Sequence, residues 1–309
     1  MRFFRKRPVP GFTPDGRTRL YGLLGHPVQA SLSPAFQNAG FRALGLNALY
    51  VAFPVLPGEL DVAVRGLAAA GIAGFNLTVP HKTAMVPLLD RILPEAQAIG
   101  AVNTVRCDPP EAPSAHRGGG PAGGALLVGT NTDGIGFLRS LESDLHLQPR
   151  GKRILLLGAG GAARGIAHAV LSGQAAALWI ANRTLARAEA LARELKAHYA
   201  AARIEALPLD GAAGIGPEIL VNATSVGMGG DRSPVSLSEV RVQLAVVDIV
   251  YRPAETPLLA QARGLGLPHT NGVGMLLYQG AAAFEFWTGQ AAPLRTMREA
   301  LLGALTGPN

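Results

Sequence analysis

One short stretch limits the folds open to this chain more than any other. Residues 153–157 read R-I-L-L-L, the run G-A-G-G-A-A follows at Gly158–Ala163, and helical apolar spacing continues to about Ser172. A buried strand, a glycine turn and a helix, with a further strand at Ala177–Ala181, predict a βαβ unit around a parallel sheet. The turn has the spacing G-x-G-x-x-A. In that pattern Gly158 permits the tight turn, Gly160 lets the backbone approach a pyrophosphate, and small Ala163 allows close helix–sheet packing. The helix start then presents unpaired N–H groups to phosphate oxygens.

The residues after the second strand choose between the nicotinamide cofactors. NAD enzymes usually place an acid there for the ribose 2′-hydroxyl. This chain has Asn182-Arg183-Thr184, then Arg187, with no acid among them. Two guanidinium groups suit a 2′-phosphate, so NADP is the expected cofactor.

The first half alternates in the same way. Strands are predicted at Leu20–Leu24, Ala48–Pro54 and Gly74–Val79, and helices at Pro34–Leu44 and Leu60–Ala70, giving a mainly parallel sheet. Ser33, just before Pro34, is expected to cap the first helix. Further strands are expected at Leu126–Val128, Ile219–Val221 and Leu244–Val250. M-L-L-Y-Q-G-A-A-A-F-E-F-W before residue 288 has helical spacing and is expected to pack back on the first half. Residues 107–125, rich in Pro and Gly, read as a surface loop between strands.

Bulk properties exclude several classes. The 309 residues suffice for two domains, and 48% hydrophobic with 16% charged residues describes a globular chain, not a disordered one. The formal charge is +7, but the arginines are dispersed and part of the excess sits in the opening M-R-F-F-R-K-R-P. Without a nucleic-acid motif or aromatic–basic interleaving, no nucleic-acid partner is expected. Cys107 is the only cysteine, which rules out an intrachain disulfide, points to a reducing compartment and reads as a passive thiol. The N-terminus lacks a signal peptide's apolar core, and no apolar run approaches the roughly 18 residues of a membrane span. A cytoplasmic protein with no membrane partner is expected.

Four polar clusters in the first half exceed what surface filler requires: Ser31-Leu32-Ser33-Pro34, Asn76-Leu77-Thr78-Val79-Pro80-His81-Lys82, Asn103-Thr104, and Thr130-Asn131-Thr132-Asp133-Gly134. Several end predicted strands, where α/β proteins bind ligands. With G-A-G-G-A, N-R-T, N-A-T-S-V-G-M, D-I-V-Y…T-P-L-L and N-G-V-G-M-L-L-Y-Q-G, these motifs fall in one order from about Tyr21 to Trp287. In that order the chain resembles the shikimate dehydrogenases.

The resemblance implies an α/β fold of two domains with a cleft between them. An N-terminal three-layer α/β substrate domain would span 19–133, completed by C-terminal helices at 273–309, and a Rossmann-type NADP-binding domain would span 134–272. It implies shikimate or 3-dehydroshikimate as substrate, held through its hydroxyls and carboxylate by Ser31, Ser33, Thr78, Asn103, Tyr251 and Gln279. It implies Lys82 and Asp133 as the catalytic pair, also in contact with substrate. Gly158, Ala159, Gly160, Gly161, Ala162, Asn182, Arg183, Thr184, Arg187, Ile249 and Gly272 would line the NADP site. The family commonly has His where this chain has Ala30 and Gln37. The implied protein is a monomer or homodimer, and its activity is reversible NADPH-dependent reduction of 3-dehydroshikimate. A quinate/shikimate dehydrogenase using NAD or NADP, or a non-catalytic NADP-binding sensor, are the alternatives.

The chemistry itself asks for such a pair. Oxidising a secondary alcohol removes the hydroxyl proton as hydride leaves carbon, and a Lys beside an Asp can pass that proton. Asp133 also stands where it can cap the helix beginning at Gly134. His81, next to Lys82 on an extended segment, should point the other way and serve structure. No metal-ligand spacing appears, so hydride transfer is expected without a metal.

Overall fold

Alternating apolar residues on short strands build two sheets, each covered on both faces. The structure, a computed structural model, describes residues 13–109, 125–230 and 232–306. The basic N-terminal tail and most of the Gly/Pro-rich stretch therefore lie outside the described residues.

The first half runs β1 (Arg19–Gly25), α1 (Ser33–Ala43), β2 (Ala48–Pro54), α2 (Leu60–Ala69), β3 (Gly74–Leu77), β4 (Arg91–Ile92), α3 (Pro94–Ile99), β5 (Thr104–Asp108), β6 (Leu126–Thr130) and α4 (Asp133–Leu145). Its sheet has the order β2-β1-β3-β5-β6-β4. β1 is parallel to β2 and β3, and β4 is parallel to β6, but β5 is antiparallel to both its neighbours. Five of the six strands therefore share one direction, the mainly parallel sheet expected, and β5 alone is reversed. The reason lies in α3. Its six residues span only about 9 Å, so the chain cannot cross back over the sheet and β5 must start at the edge where β3 ends. Cys107 and Asp108, expected in a loop, belong to β5.

The second half runs β7 (Arg153–Leu157), α5 (Gly161–Ser172), β8 (Ala177–Asn182), α6 (Leu185–His198), β9 (Arg203–Pro208), β10 (Ile219–Asn222), α7 (Leu237–Val240), β11 (Ala245–Asp248), α8 (Pro257–Gly264), β12 (His269–Thr270), α9 (Val273–Thr288) and α10 (Leu294–Thr306). All neighbours in the sheet β12-β11-β10-β7-β8-β9 are parallel. Ile154 and Leu156 join one core with Ile166 and Val170 of α5, and Leu155 and Leu157 join the other with Leu237 and Leu258. Residues that alternate along β7 thus serve opposite faces, as a doubly covered parallel strand demands.

The C-terminal helices return to the first sheet. Phe284 and Trp287 of α9 and Met297 and Leu301 of α10 pack with Tyr21, Phe36, Phe41 and Tyr50. Trp287 Nε1 also donates to the Val105 carbonyl at 2.9 Å. Each buried aromatic here contributes about 1.5–3 kcal/mol through apolar area alone. Among the described residues no helix is long and apolar enough to cross a membrane.

One buried titratable group gives this fold a pH dependence. His168 of α5 packs against Tyr199 and His198, and burial, then the nearby His198 and Arg164 charges, push its imidazole down from 6.5 to about 4. The unfolded chain therefore takes up a proton between those values while the folded chain does not. The neutral ring's contribution is complete above pH 6.5 and is lost as pH falls toward about 4. Urea midpoints at pH 7 and 4.5 should show a smaller drop for His168→Gln than for the wild type; equal drops would contradict this.

Candidate active site

The antiparallel run of β5 has a functional consequence, for it brings its first residue to the edge where β3 and β6 end. Three polar segments meet there. After β3 the chain turns, with Thr78 N–H donating to the Leu24 carbonyl and His81 N–H to the Thr78 carbonyl. The buried His81 ring places Nε2 2.8 Å from the Val55 carbonyl. Its neighbour Lys82 is left facing Asp133, the first residue of α4, and Lys82 Nζ donates to Asp133 Oδ2 at 2.5 Å. The two side chains are 14% and 4% exposed, so water screens this pair far less than a surface pair.

Asn103 is the hub of the arrangement. Its Nδ2 donates to Asp133 Oδ1 at 2.8 Å and to Thr132 Oγ1 at 3.0 Å, with Gln279 Oε1 at 3.4 Å. Its Oδ1 accepts from Thr132 N–H and from Thr104 Oγ1, both at 2.8 Å. Asn76 continues the chain by donating to Thr104 Oγ1 at 3.0 Å and accepting from the Tyr50 hydroxyl at 2.8 Å. Burial pushes the Tyr50 phenol strongly up, so it stays a neutral donor. Both oxygens of Asp133 are thus spoken for, by an ammonium and by an amide.

The expected capping roles are corrected here. Helix α1 begins at Ser33 itself, with Leu32 as its cap residue and no side-chain cap. Ser33 N–H instead donates to Ser31 Oγ at 3.3 Å, because the hydroxyl two residues upstream meets that donor first. Asp133 likewise caps nothing. Helix α4 begins with it, and Asp133 N–H is taken by Asn131 Oδ1 at 3.0 Å.

Other candidates make no direct hydrogen bond to the pair. Ser31, Ser33, Thr78 and Tyr251 make no hydrogen bond to Lys82 or Asp133 among the described residues, and Gln279 reaches it only through Asn103. Tyr251 is half-buried beside the core that α9 covers, and burial pushes its phenol up.

The glycine turn lies against the same lysine. A Cβ built on Gly161 would stand 3.0 Å from Lys82 Cβ and 3.1 Å from its Cδ, so the first residue of α5 packs on the lysine stem. Gly158 has φ +108°, where L side chains are strained, and a Cβ there would meet the Ala223 carbonyl at 3.1 Å. Around Gly160, the cap residue of α5, a Cβ would meet nothing within 4 Å, and no side chain caps the helix. That open backbone, continued by the first N–H groups of Gly161 and Ala162, is of the kind that can hold a pyrophosphate. Asn182 ends β8 and donates to the Thr184 carbonyl at 2.8 Å, which turns the chain into α6. Arg183, Thr184 and Arg187 are exposed, and among the described residues neither arginine has an ion-pair partner. Ile249 and Gly272 interlock, since a Cβ on Gly272 would overlap the Ile249 carbonyl. Open glycine backbone, helix N–H groups and two free guanidinium groups fit a dinucleotide with an extra phosphate.

Models of three families match: "shikimate dehydrogenase substrate binding domain" over residues 23–105, "shikimate / quinate 5-dehydrogenase" over 141–215, and "shikimate 5′-dehydrogenase C-terminal domain" over 272–302. A shikimate dehydrogenase (NADP(+)) of Geobacter sulfurreducens is 46% identical over 301 residues, covering 94% of this chain and 98% of that protein. The chain belongs to the shikimate dehydrogenase family. Another shikimate dehydrogenase (NADP(+)), from Methanopyrus kandleri, is 46% identical over 93% of this chain and 96% of its own. Among solved structures, shikimate 5-dehydrogenase from Thermus thermophilus in complex with NADP(H) and shikimate superposes with a TM-score of 0.78 at 37% identity. That comparison covers 93% of this chain and 100% of the Thermus chain.

Within this shikimate dehydrogenase fold, Tyr50 lies outside every motif read from the sequence, and Asn76 and Thr104 lie in motifs but carry no predicted role. All three brace Asn103 through pairings that follow from sheet register, as Asn76 stands opposite Thr104. Arg164 of α5 donates from Nε to the Ile99 carbonyl at 3.1 Å and pairs with Glu194. It thereby ties the helix after the glycine turn to the segment leading into Asn103. Of the two departures from the family pattern, Ala30 adds no polar group. Gln37 is fully buried, donates to the Gly280 carbonyl at 2.9 Å and has an Oε1 without a partner. Among the described residues no three His, Cys, Asp or Glu side chains gather as metal ligands.

Proposed function

We propose that this chain catalyses the reversible NADPH-dependent reduction of 3-dehydroshikimate to shikimate, an oxidoreductase step in chorismate and aromatic amino-acid biosynthesis. The observation that carries the reading is the Lys82–Asp133 pair, part-buried at the edge of the first sheet, with the lysine stem packed against the glycine turn.

NADPH supplies the hydride. The Lys82 ammonium donates a proton to the substrate's ketone oxygen as the carbon gains that hydride, so the product is the neutral alcohol. In the oxidising direction neutral Lys82 takes the hydroxyl proton. Asp133 holds the ammonium in place, and Asn103 holds Asp133. Ser31, Ser33, Thr78, Asn103, Tyr251 and Gln279 bind the substrate's carboxylate and hydroxyls. The substrate domain comprises 19–133 with 273–309, and 134–272 forms the NADP domain. The enzyme acts in the cytoplasm as a monomer or homodimer, without nucleic acid.

Side-by-side turnover of shikimate and quinate with NADP and with NAD tests the reading, and no NADPH formation from shikimate would end it. Arg183 and Arg187 supply the cofactor preference. Charge-assisted hydrogen bonds of this kind contribute about 1.5–3 kcal/mol. Arg183→Ala with Arg187→Ala should therefore raise the NADP KM at least about thirtyfold while leaving kcat/KM for NAD within about threefold. Parallel loss with both cofactors would remove these arginines from 2′-phosphate binding.

A further inference from the structure

Asp248 ends β11 fully buried, and among the described residues no cation pairs with it. Buried carboxylates normally have such a partner. Three neutral donors surround this one instead. Asn222 Nδ2 at 2.9 Å and Val250 N–H at 3.0 Å reach Oδ1, and Thr256 Oγ1 reaches Oδ2 at 2.7 Å. The Thr256 oxygen already accepts Leu259 N–H at 3.3 Å as the cap of α8. Its hydroxyl hydrogen has Asp248 Oδ2 as its acceptor. An acid proton on Oδ2 would compete for that line and leave one of the two hydrogens without a place. The donor set thus matches a carboxylate, although burial pushes this carboxyl up against the pull of those hydrogen bonds.

The position of this anion follows from topology. Asn222 and Asp248 are register partners at the ends of β10 and β11. The strand order reverses between β7 and β10, and dinucleotides lie across the strand ends at such a reversal. Arg183 and Arg187 stand after β8 on one side, so the 2′-phosphate half belongs there. The nicotinamide half then belongs over β10 and β11. The same hydrogen bonds shape its floor: Asn222 Oδ1 accepts from Thr224 N–H and Oγ1, and Nδ2 donates to the Val226 carbonyl.

We infer that Asp248 is a fixed anion beneath the nicotinamide half of the cofactor site, favouring the positively charged oxidised cofactor over the neutral reduced one. The inference rests on the reading of Ile249 and Gly272 as cofactor-lining residues. A negative charge placed there stabilises the positive charge that appears on the ring as hydride departs, which assists ketone reduction.

Dissociation constants for NADP+, NADPH and adenosine 2′,5′-bisphosphate, measured on wild type and Asp248→Asn, test this. The bisphosphate lacks the nicotinamide and reports the rest of the site. Asp248→Asn should bind the bisphosphate within twofold of wild type, and should weaken NADP+ relative to NADPH by roughly fivefold or more. Equal changes for NADP+ and NADPH, or no change, overturn the inference and leave Asp248 a structural brace. Failure of the wild type to bind the bisphosphate would instead sink the cofactor reading beneath it. Should Asp248→Asn not fold, Thr256→Val removes the hydroxyl that holds the anionic form. It should shift the same ratio in the same direction by a smaller factor, and an unchanged ratio there also overturns the inference.

Discussion

Lys82→Met should lower kcat for shikimate oxidation by about two to four orders of magnitude, the usual contribution of a positioned acid–base group. Methionine is the informative replacement because the lysine stem packs on Gly161, and an unbranched apolar chain preserves that contact. A shorter residue would open space under α5 and confuse lost packing with lost chemistry. The substitution leaves Asp133 without its cation. Breaking a buried pair costs about 3–5 kcal/mol when the survivor stays charged and dry, but Asn103 still donates to Oδ1 and the lysine head is not sealed from solvent. The destabilisation should therefore fall below that range, and a urea curve will read it. NADPH affinity should stay within about threefold, since the ammonium serves the reacting oxygen and not the dinucleotide. A Lys82→Met enzyme that is folded, binds NADPH and turns over at the wild-type rate would remove the proton transfer from Lys82.

The parts of this molecule legible in the sequence are those fixed by local chemistry. The turn at Gly158–Ala163 could be read because a positive φ, an open backbone and close helix packing each demand a small residue within one short stretch. The apolar spacing of α9 showed that it would be covered. Direction and partnership were not legible in the same way. The reversal of β5 depends on α3 being too short to recross the sheet, a fact about space and not about any residue in β5. Ser33 looked like a cap because the rule counts residues from the helix start, and the helix takes in Ser33 itself. The Asn222–Asp248 contact joins residues 26 apart in the chain through the register of β10 and β11. Strand composition does not encode it. Lys82 and Asp133 could be named as a pair only through the family resemblance, since 51 residues separate them and the fold alone brings them together.

Asn103→Ala should both unfold earlier and work more slowly, and the two losses have separable causes. Its side chain satisfies Thr132 N–H, the Thr104 hydroxyl and one oxygen of Asp133, all buried. Removing it strands a backbone donor and weakens the hold on a carboxylate, at a cost of about 1–3 kcal/mol per unsatisfied group. A water entering the space recovers part of this, so a net loss of about 2–4 kcal/mol is expected from urea midpoints. The catalytic loss follows from orientation. With Oδ1 of Asp133 released, the carboxylate can rotate away from the position in which it holds the Lys82 ammonium, and kcat should fall about 10- to 100-fold. Asn103→Asp separates the two effects. It keeps an acceptor for Thr132 N–H and Thr104, but replaces the amide that faces Asp133 with a second negative charge. Like charges at that distance repel and compete for the one ammonium. If orientation of Asp133 governs the rate, Asn103→Asp should be the slower enzyme of the two even where it is no less stable. Equal rates in the two variants, tracking stability alone, would reduce Asn103 to a brace for the sheet edge.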